Sequence, residues 1–459
     1  MNDELRVKDN ELGGKMKYRY RTAEEMKDSG VEWIGKIPKE WSISRISKEF
    51  IIRNEKVSDK DFAPLSVTKQ GILPQLDSVA KSDNGDNRKR VCVGDFVINS
   101  RADRKGSCGT SSYDGSVSLI CNVLTPKYLD SQYIHSLFRN YYFSEEFYRW
   151  GSGIVDDLWS TNIEKMKKIN IPKPNKNEDK KIAKFLDEKT AQFDFIISKK
   201  ETLIEKLEEA KKSLISEVVT GKVRVVKTDD GYELVEREKE EMKDSGVEWL
   251  EDIPKEWDVK RLRFLGSLQN GISKSSDEFG FGYPFVSYGD VYKNIELPKE
   301  VKGLVNSSIQ DRKIYSVEEG DVLFTRTSET VEEIGFASTC LEEIKDATFA
   351  GFLIRFRPNS NRLFKGFSKY YFRCDLNRKF FVKEMNLVTR ASLSQNLLNN
   401  LSVLLPSYEE QKEIYLALEL NVNSINDGIS KIRYQIEKLK EAKQSLISEA
   451  VTGKIEILD

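Results

Sequence analysis

One histidine in 459 residues leaves little room for the commoner catalytic and metal chemistries. That residue, His135, lies in the aromatic segment YIHSLF with no partner histidine, and reads as structural. The five cysteines, Cys92, Cys108, Cys121, Cys340 and Cys374, include no C-x-x-C pair and are odd in number. Neither a zinc site nor a disulfide framework is suggested, and a reducing cytoplasm is expected. No apolar run approaches the roughly 20 residues needed to cross a bilayer, and no signal peptide is expected, so no membrane partner is foreseen. The G-x-x-x-x-G-K-S/T phosphate loop is missing, which argues against an ATPase or translocase; the TGK at Thr220 lacks the upstream glycine and closes a helix instead. FGFGYP at Phe279 has the glycines of a nucleotide-binding turn, but Pro284 stands where the helix would run, so a plain turn is expected. No N-P-P-F-type tetrapeptide of the amino-methyltransferases occurs. By itself the chain is expected to do no covalent chemistry.

What the chain has is repetition. MKDSGVEWIGKIPKEW at Met26 returns as MKDSGVEWLEDIPKEW at Met242, identical at 13 of 16 positions. KLEEAKKSLISEVVTGK at Lys206 returns as KLKEAKQSLISEAVTGK at Lys438, identical at 14 of 17. The length exceeds what one hydrophobic core serves, and the echoes divide it into two halves. With 39% apolar and 32% charged residues the composition is that of a folded, unusually ionic protein. The net charge of -1 conceals an uneven distribution: Trp41 to Pro174 holds 20 Lys+Arg against 16 Asp+Glu, and Trp257 to Pro406 holds 21 against 18. These mild excesses permit DNA binding without proving it.

Between the echoes the halves hardly match. VCVGDFVINSRADRKG near Val91 and YSVEEGDVLFTRTSE near Tyr315 share a Gly-Asp turn before a short alternating run, Phe96 and Ile98 in one and Val322 and Phe324 in the other. That pattern predicts a turn feeding a half-buried strand. Further strands are expected at GSVSLICNVL and FAGFLIRFRP, each followed by an aromatic helical segment, so each insert reads as an α+β domain.

After Pro174 and Pro406 the pattern changes. Leu186, Phe193, Lys200, Leu207 and Leu214 fall seven apart, as do Leu418, Ile425, Ile432, Leu439 and Leu446; Ile196, Leu203 and Ala210 are the expected companion positions in the first series. Both series end at VTGK, where Gly221 and Gly453 can take the left-handed conformation that stops a helix. Two helices of about 44 residues, about 66 Å long, follow. A seven-residue seam requires a partner, and the nearest is the other helix, antiparallel because each follows its own insert. Gly428 departs from the pattern at about 1 kcal/mol relative to alanine and is a candidate kink.

The duplicated KDSGVEW...IPKEW, the paired helix starts NEDKKI and YEEQKEI after a proline, the paired SLISE.VTGK helix ends and the two divergent inserts resemble the specificity subunit of Type I restriction-modification enzymes, from Met26 onward. Asp179 stands where the second copy has glutamine. The resemblance implies two globular target-recognition domains (26–174 and 242–406) separated by two long antiparallel coiled-coil helices (175–222 and 407–454), related by an internal pseudo-twofold repeat. Residues 1–25 are expected to be a loose tail, with Met16 an alternative start, 223–241 a linker and 455–459 the C-terminal end. It further implies a bipartite double-stranded DNA target, docking of two methyltransferase subunits, and restriction/translocase subunits in the full complex. S-adenosylmethionine, ATP and magnesium would then sit on those partners, and none on this chain.

Candidate DNA contacts are Arg101, Arg104 and Lys105 after the first Gly-Asp strand, Arg326 after the second, Arg88, Lys89 and Arg90 in the loop-like DNRKRV, and Arg390 in VTRASLSQN. Arginine is the commonest bidentate reader of guanine, and both cations hold phosphates; solvated surface charge is the competing reading for each. Trp159 can pack in the core or stack near DNA. A stand-alone bipartite DNA-binding regulator and a coiled-coil scaffold are the rival classes. The first would bind specifically with no methyltransferase present, and the second would show no sequence preference.

Overall fold

A heptad seam makes sense only if a second helix lies against it, and the structure, a computed structural model describing residues 18–75, 85–153, 159–328, 334–359, 361–384 and 391–458, supplies one. The long helices span Glu178–Val219 and Tyr408–Val451. The chain separates into two compact units, Met1–Glu201 with Ile432–Asp459, and Thr202–Lys431, whose boundaries fall inside both helices. In the first unit the helices run antiparallel: the Lys443 ammonium lies 2.6 Å from the Asp194 carboxylate, and Lys200 donates to the Gln435 side chain at 2.7 Å. In the second unit Lys211 donates to Asn426 at 3.0 Å.

The predicted seam is buried or half-buried at Leu186, Phe193, Leu207, Leu214, Leu418, Ile425, Ile432, Leu439 and Leu446. Its companion series is one residue further along than the sequence suggested. Leu203 is 45% exposed and Ala210 is exposed, whereas Ile197 and Val218 are buried and Ile204 half-buried. In the second helix the companions are Val422, Ile429, Ile436 and Ala450, all buried. Steps of four and three from Leu186 reach Ile197 and Val218, the 3.5-residue period of a coiled coil. The helix passes through Gly428 without interruption.

The repeated phrases meet at the helix ends. In the first unit the Trp41 indole donates to Glu178 at 2.7 Å, and the Arg21 guanidinium binds the same carboxylate at 2.8 Å. In the second, Trp257 and Arg237 hold Glu410 at 3.0 and 2.9 Å. Gly453 and Gly221 have φ of +74° and +77°, and a Cβ on either would fall within 2.5 Å of Pro38 or Pro254 respectively. Each joint thus binds the start of one helix and the end of the other to an IPKEW segment, with both tryptophans buried.

Of the tail expected to be loose, the described part, residues 18–25, is ordered. Tyr18–Tyr20 pairs antiparallel with Ile455–Ile457, and Ala23–Glu25 is a turn closed by reciprocal bonds between Thr22 and Glu25. The expected linker is a hairpin, Val223–Thr228 against Gly231–Glu236. The registers correspond: Tyr20 faces Ile455 as Glu236 faces Val223.

Each insert is built on a four-stranded antiparallel sheet. In the first it comprises β1 (Phe50–Ile52), β2 (Phe96–Asn99), β3 (Cys108–Thr110) and β4 (Cys121–Pro126), in the order β3-β2-β4-β1. In the second, β5 (Gly266–Asn270), β6 (Val322–Thr325), β7 (Ala337–Thr339) and β8 (Leu353–Pro358) are ordered β7-β6-β8-β5. The topology is the same although the sequences diverge. β2 and β6 were expected to be half-buried, yet every residue of both is buried. Phe96 and Ile98 face one apolar cluster and Val97 another, as Val322 and Phe324 face one and Leu323 another. Strands covered on both faces lose the alternation that one-sided burial produces.

Candidate nucleic-acid interface

The Gly-Asp turn positions the strand that carries the candidate arginines. Gly94 and Gly320 adopt φ of +87° and +90°, open to glycine at no steric cost. The buried aspartates that follow are held by strand partners: Asp95 accepts from Arg53 Nε at 2.7 Å and from the Cys92 amide at 2.8 Å. Asp321 accepts from Arg357 Nε and Nη2 at 2.7 and 2.6 Å, and from the Glu318 amide at 2.7 Å. The two inserts therefore anchor the base of β2 and β6 in the same way.

At the opposite end both strands run into matching backbone contacts, with Ser100 buried in the first insert and Arg326 half-buried in the second. The Ser100 amide donates to Ile120 and the Thr161 amide to Ser100; in the second insert the Arg326 amide donates to Phe352 and the Leu393 amide to Arg326. Asn162 and Ser394, the next residues, cap the short helices Ile163–Met166 and Gln395–Asn399. Position by position Ser100 corresponds to Arg326 and Ile120 to Phe352, so the chemistry at this end differs between inserts while the backbone is shared.

Arg101, Arg104 and Lys105 are exposed beside this end. Lys105 is engaged with Glu145 at 2.5 Å, whereas Arg104 is 68% exposed with Asp103 3.5 Å away. Arg326 is half-buried, and its side chain makes no bond among the described residues. DNRKRV is no loop: Arg88–Val91 is a strand paired with Gly115–Ser118. Its cations are engaged internally. Arg88 is buried and donates to the Ser116 hydroxyl and carbonyl at 2.8 and 3.0 Å. Lys89 donates to the Cys121 carbonyl at 2.7 Å, and Arg90 stacks 3.6 Å from the Phe62 ring centroid. Burial lowers the pKa of both Arg88 and Lys89. Arg390 lies outside the described residues.

Trp159 is half-buried and donates to the Tyr148 carbonyl at 2.8 Å. His135 is structural, its Nδ1 accepting from the Thr110 amide at 3.2 Å. FGFGYP is not a plain turn but the start of a strand, Phe279–Val286, whose register breaks between Phe279 and Tyr283. Asp179 keeps half of what glutamine does in the second copy: it accepts from the Asp130 amide at 2.7 Å, as Gln411 accepts from Phe364 at 2.8 Å. Gln411 also donates to the Arg362 and Pro406 carbonyls, which a carboxylate cannot do.

The structure brings near Arg326 three residues that the sequence did not single out, although Gln395 lies within the candidate run VTRASLSQN. Phe352, 64% exposed, is its backbone partner. Asn270, at the end of β5, lies opposite Ile354 of β8, two positions past Phe352, which sits in the turn before that strand. Gln395, two positions past Leu393, donates through its side-chain amide to the Asn270 side-chain Oδ1 at 3.0 Å. No local motif links them, since they come together only through backbone pairing. Among the described residues no group of three or more His, Cys, Asp or Glu side chains is placed to hold a metal ion, and no helix is long and apolar enough to cross a membrane.

Residues 254–438 match the family model described as the Type I restriction modification DNA specificity domain. The chain is 24% identical over 455 residues to the Type I restriction enzyme EcoKI specificity subunit of Escherichia coli K12, covering 92% of this chain and 90% of that protein. Its fold is similar to a chain solved in a study of complex assembly and conformational transition of the type I R-M system, with TM-score 0.68, 15% identity, and 91% and 99% of the two chains covered. The HsdS subunit from Thermoanaerobacter tengcongensis is similar at TM-score 0.51 and 15% identity, with 91% and 98% covered.

Proposed function

We propose that this chain, similar to the DNA specificity proteins of Type I restriction-modification systems, is itself such a protein, in which each insert reads one half of a split DNA target while the twin joints and helices carry the partner subunits. The observation that carries this reading is how each insert is attached. The first enters and leaves through one strand pair, Ser42–Arg45 against Asn170–Lys173, and the second through Asp258–Arg261 against Ser402–Leu405. Each is therefore a module with adjacent ends, set on a nearly duplicated joint.

Part of the repetition has an internal cause, since Trp41, Trp257, Gly221 and Gly453 are needed by the joints themselves. Repeated residues exposed in both copies, such as Lys39 and Lys255 or Lys206 and Lys438, remain for two identical partners to contact. A near-duplicate platform suits two copies of one methyltransferase subunit, whereas two different inserts suit two different half-sites. Methyl transfer would then use S-adenosylmethionine on those partners, with the target base turned out of the duplex; ATP and magnesium would serve a restriction/translocase subunit.

The test is replacement of Ser42–Lys173 by the equivalent segment of a relative, in a chain co-expressed with its methyltransferase subunit. Mapping methylated sites should show one half of the recognised sequence changed and the other retained. Change in both halves, or methylation without sequence preference, would overturn the reading.

A further inference from the structure

We infer that the Arg326 end of the second insert's sheet reads purines in the major groove, with Arg326 taking a guanine and the Asn270–Gln395 amide pair taking an adenine. This inference rests on the function proposed above and names the residues that would set the second half-site. Backbone pairing brings the groups together: Arg326 is bonded at 2.9 Å to Phe352, the turn residue just before β8, Asn270 faces Ile354 on β8, and Leu393, bonded to Arg326 at 2.7 Å, leads into Gln395. Phe352 and Asn270 therefore lie at the same end of β8, one just before its first residue and the other opposite its second.

The amide pair has a defined remaining valence. One bond at 3.0 Å joins Gln395 to Asn270, and an amide group offers one carbonyl and one amino group. Whichever way each amide is turned, a pair sharing one bond still offers a donor and an acceptor side by side. Adenine shows the complementary pair at its major-groove edge, the N7 acceptor beside the N6 donor, whereas guanine shows two acceptors that match an arginine fork. Arg326, whose side chain has no partner among the described residues, supplies that fork. The first insert has Ser100 where the second has Arg326, and Ile163 at the position of Gln395. The same set of bases is therefore not expected in the first half-site.

The experiment uses the full chain co-expressed with its methyltransferase subunit, comparing wild type with Arg326→Ala, Arg326→Lys and Gln395→Ala by genome-wide methylation mapping. Rates on duplexes changed at single positions complete the comparison. Arg326→Ala and Arg326→Lys should each lose about tenfold or more of the discrimination at one guanine position, because lysine keeps the charge but not the fork. Gln395→Ala should relax one adenine position in the same half-site, with the other half-site unchanged. Activity that falls equally on all sequences and is restored by Arg326→Lys marks a phosphate contact and overturns the inference, as does unaltered specificity in both Arg326→Lys and Gln395→Ala. Wild-type complex without any sequence preference would instead refute the proposed function itself.

Discussion

Because His135 is the only histidine, its ionisation can be followed without interference. Its ring is half-buried, and its Nδ1 accepts the Thr110 amide proton; desolvation, assisted by the nearby Arg139 guanidinium, pushes its pKa down from 6.5 to about 4. A depressed folded-state pKa contributes stability that is present above about pH 6.5 and is lost as pH falls through 4, because the unfolded chain binds the proton first. The full effect is about 3 kcal/mol at about 1.4 kcal/mol per pH unit, and about 2 kcal/mol of it is lost on going from pH 7.5 to pH 5. His135→Asn can keep an acceptor near Nδ1 but does not titrate. Denaturant unfolding of the first unit's transition should therefore show the stability difference between wild type and His135→Asn shifting by about 2 kcal/mol against wild type at pH 5. The direct assay is NMR of the full chain labelled only at histidine: the single ring resonance should stay unprotonated between pH 8 and 5. A midpoint near 6.5 in the folded protein would refute the argument from desolvation.

Gly453→Ala should destabilise the first joint more than Gly30→Ala destabilises its turn. Both residues have positive φ, +74° and +69°, but only Gly453 would place a Cβ against Pro38. The clash adds roughly 1–3 kcal/mol to a backbone cost of about 1–2, measurable by thermal melts of the two variants. Gly428→Ala should stabilise the second helix by up to about 1 kcal/mol, since nothing lies within 4 Å of the added carbon; a loss of stability would show that the glycine serves close packing. Trp41→Phe removes the indole donor from Glu178 and should cost about 1–3 kcal/mol, read by thermal melts. Adding seven residues after Lys200 and after Gln435, which face each other, lengthens each helix by about 10.5 Å and keeps the seam to within about 20°. If the helices set the spacing of the half-sites, a library with randomised gaps should show the preferred gap widened by up to about 3 base pairs, at about 3.4 Å each.

The sequence by itself determined the duplication, the two long helices and their ends, because each rests on a signal local in the chain. Heptads keep their period whatever surrounds them, and Gly221 and Gly453 stop a helix by a conformation that glycine adopts freely. The α+β inserts were legible through the Gly-Asp turns for the same reason. Tertiary structure decided what local pattern left ambiguous. The first helix carries apolar doublets, Ile196–Ile197 and Leu203–Ile204, so either member could serve the seam until the partner helix covered the second of each. DNRKRV has the charge of a loop, but pairing with Gly115–Ser118 makes it a strand and turns Arg88 inward. Asn270, Phe352 and Gln395 join Arg326 only because β5, β6 and β8 align in register. Contacts between residues so distant in the chain leave no periodic trace in it, and only the closed sheet brings them to one edge.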